Sequence, residues 1–264
     1  MKTRKGILLC GLFALSVTWP AAAGAAEKVT VGLDRHYNHE TRGGRPYHYA
    51  WEDTRASGYS QFGQLLRGLG AEITSVRNPA SKQALAGVDI YIIVDPDTPK
   101  ETKNPNYIED EAIEAIVEWV HGGGVLVLLN NNEGETEFEH VNKLAGRFGI
   151  TFNQDTRFGI HADPQKLQMH SFPDHPFFKG VEKLHMRSIC TLTVKPPAKE
   201  VYNFQGDSIM ALCQHGKGTV FALGDPWIYN EYIKFHDNIP CAKNVFGWLI
   251  EKTRQPGYPN GDKP

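Results

Sequence analysis

Apolar positions along this chain alternate between short continuous runs and runs spaced by three and four residues, and this alternation lays out the elements in order. Val29-Thr30-Val31-Gly32-Leu33 reads as a short strand. A polar and aromatic stretch follows from Asp34 to Thr54, after which Phe62, Leu65, Leu66 and Leu69 take up helical spacing until Gly70 closes the turn. Ile73 to Val76 predicts a second strand, and the continuous, β-branched run Val88 to Val94 predicts one buried on both faces. Ile108, Ala112, Ile113, Ile116, Val117 and Val120 form the next helical stripe, which Gly122-Gly123-Gly124 stops before the strand Val125 to Leu129. A helix from about Phe138 to Phe148 and a strand at Ile150-Thr151-Phe152 follow. From Asp155 to Glu200 the pattern dissolves into Pro, His and Phe without a period, which predicts an irregular inserted lobe. Order returns with Ser208 to Cys213, a turn at His215 to Gly218, the strand Thr219 to Leu223 and a terminal helix around Ala242 to Ile250.

Strands that alternate with helices in this way imply an α/β fold with a mostly parallel, doubly wound sheet and an antiparallel hairpin near its end. One domain from residue 27 to 253 accommodates all of these elements, with a Pro-, Gly- and Asn-rich tail at 254–264. Residues 1–26 read as a signal peptide: Lys2, Arg4 and Lys5 precede the apolar run Ile7 to Val17, and Ala23-Gly24-Ala25-Ala26 supplies small residues for cleavage. The run is shorter than the ~18–20 residues that span a bilayer. The expectation is a periplasmic or secreted protein with no stable membrane insertion after cleavage.

Composition narrows the partners. Removal of the three leader cations takes the formal charge from −2 to −5, and without a Lys/Arg run the surface suits neither nucleic acid nor an anionic membrane. Cys190, Cys213 and Cys241 remain, an odd number that leaves at least one thiol unpaired within a monomer; burial as small hydrophobes accounts for them. A homo-oligomer is compatible with the sequence, and no cofactor is expected.

Candidate chemistry gathers where an open α/β sheet binds ligands, at the carboxyl ends of its strands. Asp34 to Glu40 follow the first strand, Asp95, Asp97 and Thr98 the third, Asn130 to Glu133 the fourth, and Asp225, Trp227 and Asn230 the last. The loop Tyr47-His48-Tyr49-Ala50-Trp51-Glu52-Asp53-Thr54 adds aromatics and two adjacent carboxylates immediately before a helix, where either carboxylate also serves as a cap. Aromatic faces beside carboxylates and amides suit a polyhydroxylated ring, whose apolar face stacks while its hydroxyls bond to the polar groups. The catalytic candidates are Glu52, Asp53, Asp225, Glu133 and His36, and the substrate-binding candidates are Trp51, Asn131, Trp227, Asp95 and Asn230. His36 and His39 with Glu40 hold groups competent to bind zinc, but their spacing matches no metal motif, and no metal ligand is assigned.

The strand order, together with Gly122-Gly123-Gly124-Val125-Leu126-Val127-Leu128 and Gly216 to Pro226, resembles the class I glutamine amidotransferase-like superfamily, which includes the trehalose-utilisation-like proteins. The resemblance covers Val29 to Ile250 outside the irregular lobe and implies a flavodoxin-like fold. Val31-Gly32-Leu33-Asp34, followed by His48 to Thr54 and Ser57-Gly58-Tyr59-Ser60, looks like a domain of unknown function attached in some bacterial polysaccharide-degrading proteins to an unsaturated glucuronyl or rhamnogalacturonyl hydrolase. Amidotransfer itself is not expected. The superfamily places a nucleophilic cysteine in the turn where this chain has Leu129-Asn130-Asn131-Asn132-Glu133-Gly134, with neither Cys nor Ser. The leading expectation is therefore an exported glycan-processing protein, a glycosidic-bond hydrolase acting on uronate- or rhamnose-containing oligosaccharides or polysaccharides. Beside it stand a noncatalytic carbohydrate-binding or assembly module and a metal-dependent hydrolase using His36 and His39.

Overall fold

The computed structural model describes residues 28–159 and 168–254. Nine strands and four helices carry the argument: β1 Thr30–Asp34, α1 Ser60–Gly68, β2 Glu72–Val76, β3 Ile90–Val94, α2 Asp110–Gly122, β4 Val125–Leu129, α3 Glu139–Gly146, β5 Ile150–Phe152, β6 Leu192–Val194, β7 Lys199–Phe204, β8 Asp207–His215, β9 Gly218–Leu223 and α4 Asn238–Lys252. A seven-stranded sheet runs in the order β7-β8-β9-β4-β3-β1-β2. Its centre is parallel, with β1 paired to β2 and β3, β3 to β4, and β4 to β9, while β8 returns antiparallel to both β9 and β7. This is the doubly wound, flavodoxin-like architecture that the pattern predicts.

The apolar runs explain the layering. Every residue of β3, β4 and β9 is buried, because helices cover both faces of the sheet. Val31, Leu33, Ile92, Val127 and Phe221 pack on one face with Phe62 and Leu66 of α1 and with Val245, Phe246 and Leu249 of α4. Tyr91, Ile93, Leu126, Leu128 and Val220 pack on the other with Ile113, Ile116 and Val120 of α2 and Val141 and Leu144 of α3. Each fully buried aliphatic side chain contributes about 1.5–3 kcal/mol, so two such faces hold the strand ends in fixed register.

Two elements differ from the sequence reading. The sheet gains the edge strand β7, whose residues Lys199-Glu200-Val201-Tyr202-Asn203-Phe204 alternate in exposure and bury mainly Tyr202 and Phe204. A half-polar edge strand carries no continuous apolar run, which is why it reads as loop. α4 starts at Asn238, earlier than its apolar stripe, because Pro240 fits a first turn where a missing N–H is tolerated.

The described part of the irregular lobe holds a short antiparallel pair, β5 with β6, a two-residue ladder of Gln168–Met169 with Leu184–His185, and a 3₁₀ turn at Pro176–Phe178. Met169, Phe177, Phe178, Leu184, Met186 and Ile189 from it join the core on the α1/α4 face. The lobe is therefore part of the packed domain. Residues 1–26, read as a signal peptide, and His161 lie outside the described residues; among those described, no helix is long and apolar enough to cross a membrane.

Candidate functional site

A cleft of about 560 Å³ opens over the carboxyl ends of β4 and β9. Asn131, Asn132 and Glu135 reach it from the turn after β4; Pro226, Tyr229 and Tyr232 come from the segment after β9. Tyr49 comes from the long loop after β1, and Thr156, Gly159, Arg187 and Ser188 from the lobe. Tyr229 stands between two other tyrosines, with ring centroids 5.9 Å from Tyr49 and 4.9 Å from Tyr232. The walls are thus aromatic rings, amides and hydroxyls, with one cation.

Two carboxyl groups lie behind these walls. Asp225, two residues past β9, is fully buried and accepts hydrogen bonds from the backbone N–H of Trp227 through Oδ1 and of Arg187 through Oδ2, the latter at 3.2 Å. Burial outweighs those bonds and pushes its pKa up to about 7. Asp95, the first residue past β3, accepts through Oδ2 from Asn131 Nδ2 at 3.3 Å, while its buried Oδ1 has no partner among the described residues. Burial, reinforced by the neighbouring Glu101, holds this carboxyl well above the usual range. β4 lies between β3 and β9, so at about 4.8 Å per strand the two aspartates stand roughly 10 Å apart along the sheet edge.

Backbone strain collects at the same place. Tyr49, Asp95, Ser188 and Trp227 all have positive φ, at 44°, 46°, 56° and 52°. Left-handed backbone costs a non-glycine residue about 1 kcal/mol or more and persists where the surroundings over-determine it, commonly at functional sites. The turn after β4 shows no such strain at Asn130 or Asn131. Cys190, which abuts Gly224 beside Asp225, and Cys213 and Cys241 are all buried outside the cleft lining, with burial raising each thiol, so no thiolate is poised in this cleft.

The sequence candidates divide accordingly. Asn131 lines the cleft, and Asp95 and Asp225 brace its floor without lining it. The others lie outside. Trp51 packs against Phe62 and Tyr59 and donates its Nε1–H to the Thr74 carbonyl at 2.8 Å, and Trp227 is 1 % exposed, so neither offers a face to a sugar. Glu52 is solvent-exposed and lies 3.7 Å from Arg77 beyond β2. Asp53 is bound by Arg55 through both carboxylate oxygens, at 2.7 and 3.2 Å, and caps nothing with its side chain. Glu133 is exposed outside the lining, and Glu135 takes the place expected for it. His36 is outside the lining, with its ring against the Arg77 backbone and its carbonyl accepting from Asn106 Nδ2 at 2.9 Å. Among the described residues no group of three or more His, Cys, Asp or Glu is arranged to hold a metal ion.

Asn230 has a structural task. Its Oδ1 accepts from the Gln61 N–H at 3.0 Å at the start of α1, and its Nδ2 donates to the carbonyls of Asp53 and Arg55 at 3.0 and 2.8 Å. This remote side chain does the capping that no residue before α1 performs. Asn230→Ala is expected to cost about 2 kcal/mol, read as a fall in Tm of about 4–8 °C.

A domain model described as Domain of unknown function (DUF4350) matches residues 52–246, most of the fold and nearly all of the cleft. The chain belongs to the DUF4350 family. Among solved structures, this family member is similar to the mmIFT52 N-terminal domain at 19% identity, covering 83% of this chain and 96% of that one, with a TM-score of 0.67. It is also similar to exo-β-1,4-mannosidase Op5Man5 from Opitutaceae bacterium strain TAV5, at 15% identity over 86% of this chain and 36% of that one, with a TM-score of 0.51. A GMP synthase-like protein from Thermoplasma acidophilum superposes at 8% identity over 87% and 98% of the two chains, also with a TM-score of 0.51. At such identities the shared property is the glutamine amidotransferase-like fold. Among curated proteins nothing matches the chain.

Sequence reasoning passes over Glu135, Thr156, Gly159, Arg187, Ser188, Tyr229 and Tyr232 of the cleft lining. The tyrosines carry a signal, a three-residue spacing immediately after the last strand; Arg187 and Ser188 carry none.

Proposed function

We propose that this is an exported glycan-processing protein whose tyrosine-lined cleft holds an oligosaccharide. The observation that carries the reading is the wall composition: half-buried Tyr229, flanked by the largely buried Tyr49 and Tyr232, lines one groove at the strand ends together with the amides of Asn131 and Asn132 and the hydroxyl of Ser188. That combination stacks on the apolar face of a sugar and bonds to its hydroxyls. The family resemblance to domains attached to glucuronyl and rhamnogalacturonyl hydrolases supports material containing uronate or rhamnose, and the leader-like N-terminus supports a periplasmic or secreted location. The same fold forming part of an exo-β-1,4-mannosidase is compatible with a glycan context.

Noncatalytic binding is the form that the lining favours, since both buried aspartates already serve the scaffold. Glycosidic-bond hydrolysis is the second reading, favoured by Asp225, whose carboxyl is held up to about 7, where a general acid works, with Glu135 as a second carboxyl group at the cleft surface.

Calorimetric titration of the mature protein with uronate- and rhamnose-containing oligosaccharides tests the reading. Wild type is expected to bind at least one of them, and Tyr229→Ala and Asn131→Ala to weaken that binding about tenfold each. No binding across the panel overturns the proposal. Product analysis after long incubation, with and without a chelator, separates binding from hydrolysis and hydrolysis from metal-dependent chemistry. N-terminal sequencing of protein recovered outside the cytoplasm, expected to start at Glu27, tests export.

A further inference from the structure

One cation in the cleft is unaccounted for. Among the described residues Arg35 is buried and Arg187 half-buried, and the other arginines are exposed. Arg35 spends its guanidinium on Asn38 Oδ1 and the His48 carbonyl, at 2.8 and 3.1 Å. Among the described residues the Arg187 guanidinium meets no carboxylate within ion-pair distance and makes no hydrogen bond; its Cζ stands 5.8 Å from the centre of the Tyr232 ring. Other arginines without a carboxylate partner, such as Arg45 and Arg67, are exposed to water, whereas the Arg187 guanidinium is half-withdrawn from it.

The backbone fixes this residue from two directions. The Arg187 N–H donates to Asp225 Oδ2 at 3.2 Å, and Ser188, at φ 56°, donates its N–H to the Phe158 carbonyl at 2.9 Å. Strained backbone pinned on both sides sets where the side chain leaves the chain. A partly desolvated guanidinium without a counter-charge is costly, and its planar fork matches a carboxylate.

We infer that Arg187 is a specificity residue that pairs with the carboxylate of an acidic sugar held against Tyr229 and Tyr232. The inference rests on the glycan reading and narrows it from neutral deoxysugars to carboxylate-bearing rings. Glu135, the acidic residue in the lining, is exposed and therefore screened, and it forms no ion pair with Arg187.

The test compares digalacturonate with its carboxyl-reduced, neutral counterpart by calorimetry at low ionic strength. Wild type is expected to prefer the carboxylate form by about tenfold or more, as a charge-assisted hydrogen bond provides, with the preference falling as salt is added. Arg187→Gln is expected to bind both forms alike at the level of the neutral one, and Arg187→Lys to keep part of the preference. Thermal melts of both variants report folding, and the salt titration of wild type stands even if a variant does not fold. Equal binding of the two forms by wild type, or a preference that survives in Arg187→Gln, overturns the inference and leaves glycan binding intact. Binding of neither form, alongside binding of a neutral oligosaccharide, overturns the inference alone, whereas binding of no sugar overturns both readings.

Discussion

Gly224→Ala is expected to destabilise the protein by about 3 kcal/mol or more, at the top of the range for overpacking, and to abolish ligand binding in the cleft. A Cβ at this position would lie 1.9 Å from the Cys190 carbonyl oxygen and 3.2 Å from its Sγ. The obstacle is backbone, which cannot rotate aside. Relief requires β9 to separate from the 187–190 segment, which breaks the 2.9 Å bond from the Cys190 N–H to the Gly224 carbonyl. The next residue is Asp225, whose carboxylate holds the Arg187 backbone. Opening this contact therefore moves the cleft floor and its cation together. Gly247→Ala in α4 is the matched control: nothing stands within 4 Å of the new Cβ, and removing a helical glycine should stabilise by about 0.5–1 kcal/mol. Urea denaturation of the two variants reads both effects, and a Gly224→Ala protein as stable as wild type would mean that this junction yields more easily than its geometry allows.

The sheet was legible because burial on both faces leaves an unmistakable mark: β3, β4 and β9 are uninterrupted apolar runs, and α2 shows its stripe between them. The strand-end rule points to the sheet edge over which the cleft opens; of its candidates Asn131 lines that cleft, and Asp95 and Asp225 lie behind it. It went no further, because sequence order gives the edge but not the depth or direction of a side chain. Trp51 and Trp227 are consumed by the core, and the aromatic lining of the cleft comes instead from half-buried Tyr229 and the largely buried Tyr49 and Tyr232. Glu52 and Asp53 are neighbours in a tight loop, so their side chains diverge, one to solvent and one to Arg55. Arg187 was out of reach. It belongs to a lobe without periodicity, and its place depends on backbone bonds to residues distant in sequence, Asp225 and Phe158 among its neighbours' partners. Of the carboxylates that sequence reasoning selects for catalysis, Asp53 and Asp225 are tied to neighbouring residues and Glu52 and Glu133 are exposed outside the lining, whereas phenols, amides and one guanidinium line the cleft.

The stability difference between wild type and Asp225→Asn is expected to change with pH by up to about 4 kcal/mol, at 1.36 kcal/mol per pKa unit, and to reverse sign. Folding raises the Asp225 pKa from 3.8 to about 7 because burial penalises its charged form. A carboxyl raised in this way lets the native state hold a proton that the unfolded state has released. Its stabilising contribution is therefore complete below about pH 4 and lost as pH rises through about 7. Asn carries no charge at any pH, but its amide nitrogen cannot accept from the Arg187 or Trp227 N–H, so the variant begins about 1 kcal/mol weaker in acid. As pH rises, wild type takes on the cost of a buried charge that the variant avoids, and Asp225→Asn becomes the more stable protein before neutrality. Comparing the pair is what isolates this effect. Asp34, raised to about 6, and Glu101, raised to about 7, bend the wild-type curve the same way, while His36, His175, His185 and His215, lowered by burial, bend it the opposite way. All of these are common to both proteins and cancel in the difference. Urea melts of the two from about pH 4.5 to about pH 8.5 make the measurement. A difference that stays constant over that range would give Asp225 an ordinary carboxylate pKa and leave the hydrolytic reading without its proton donor, while the binding cleft, which depends on Asp225 only as an acceptor for the Arg187 backbone, would stand.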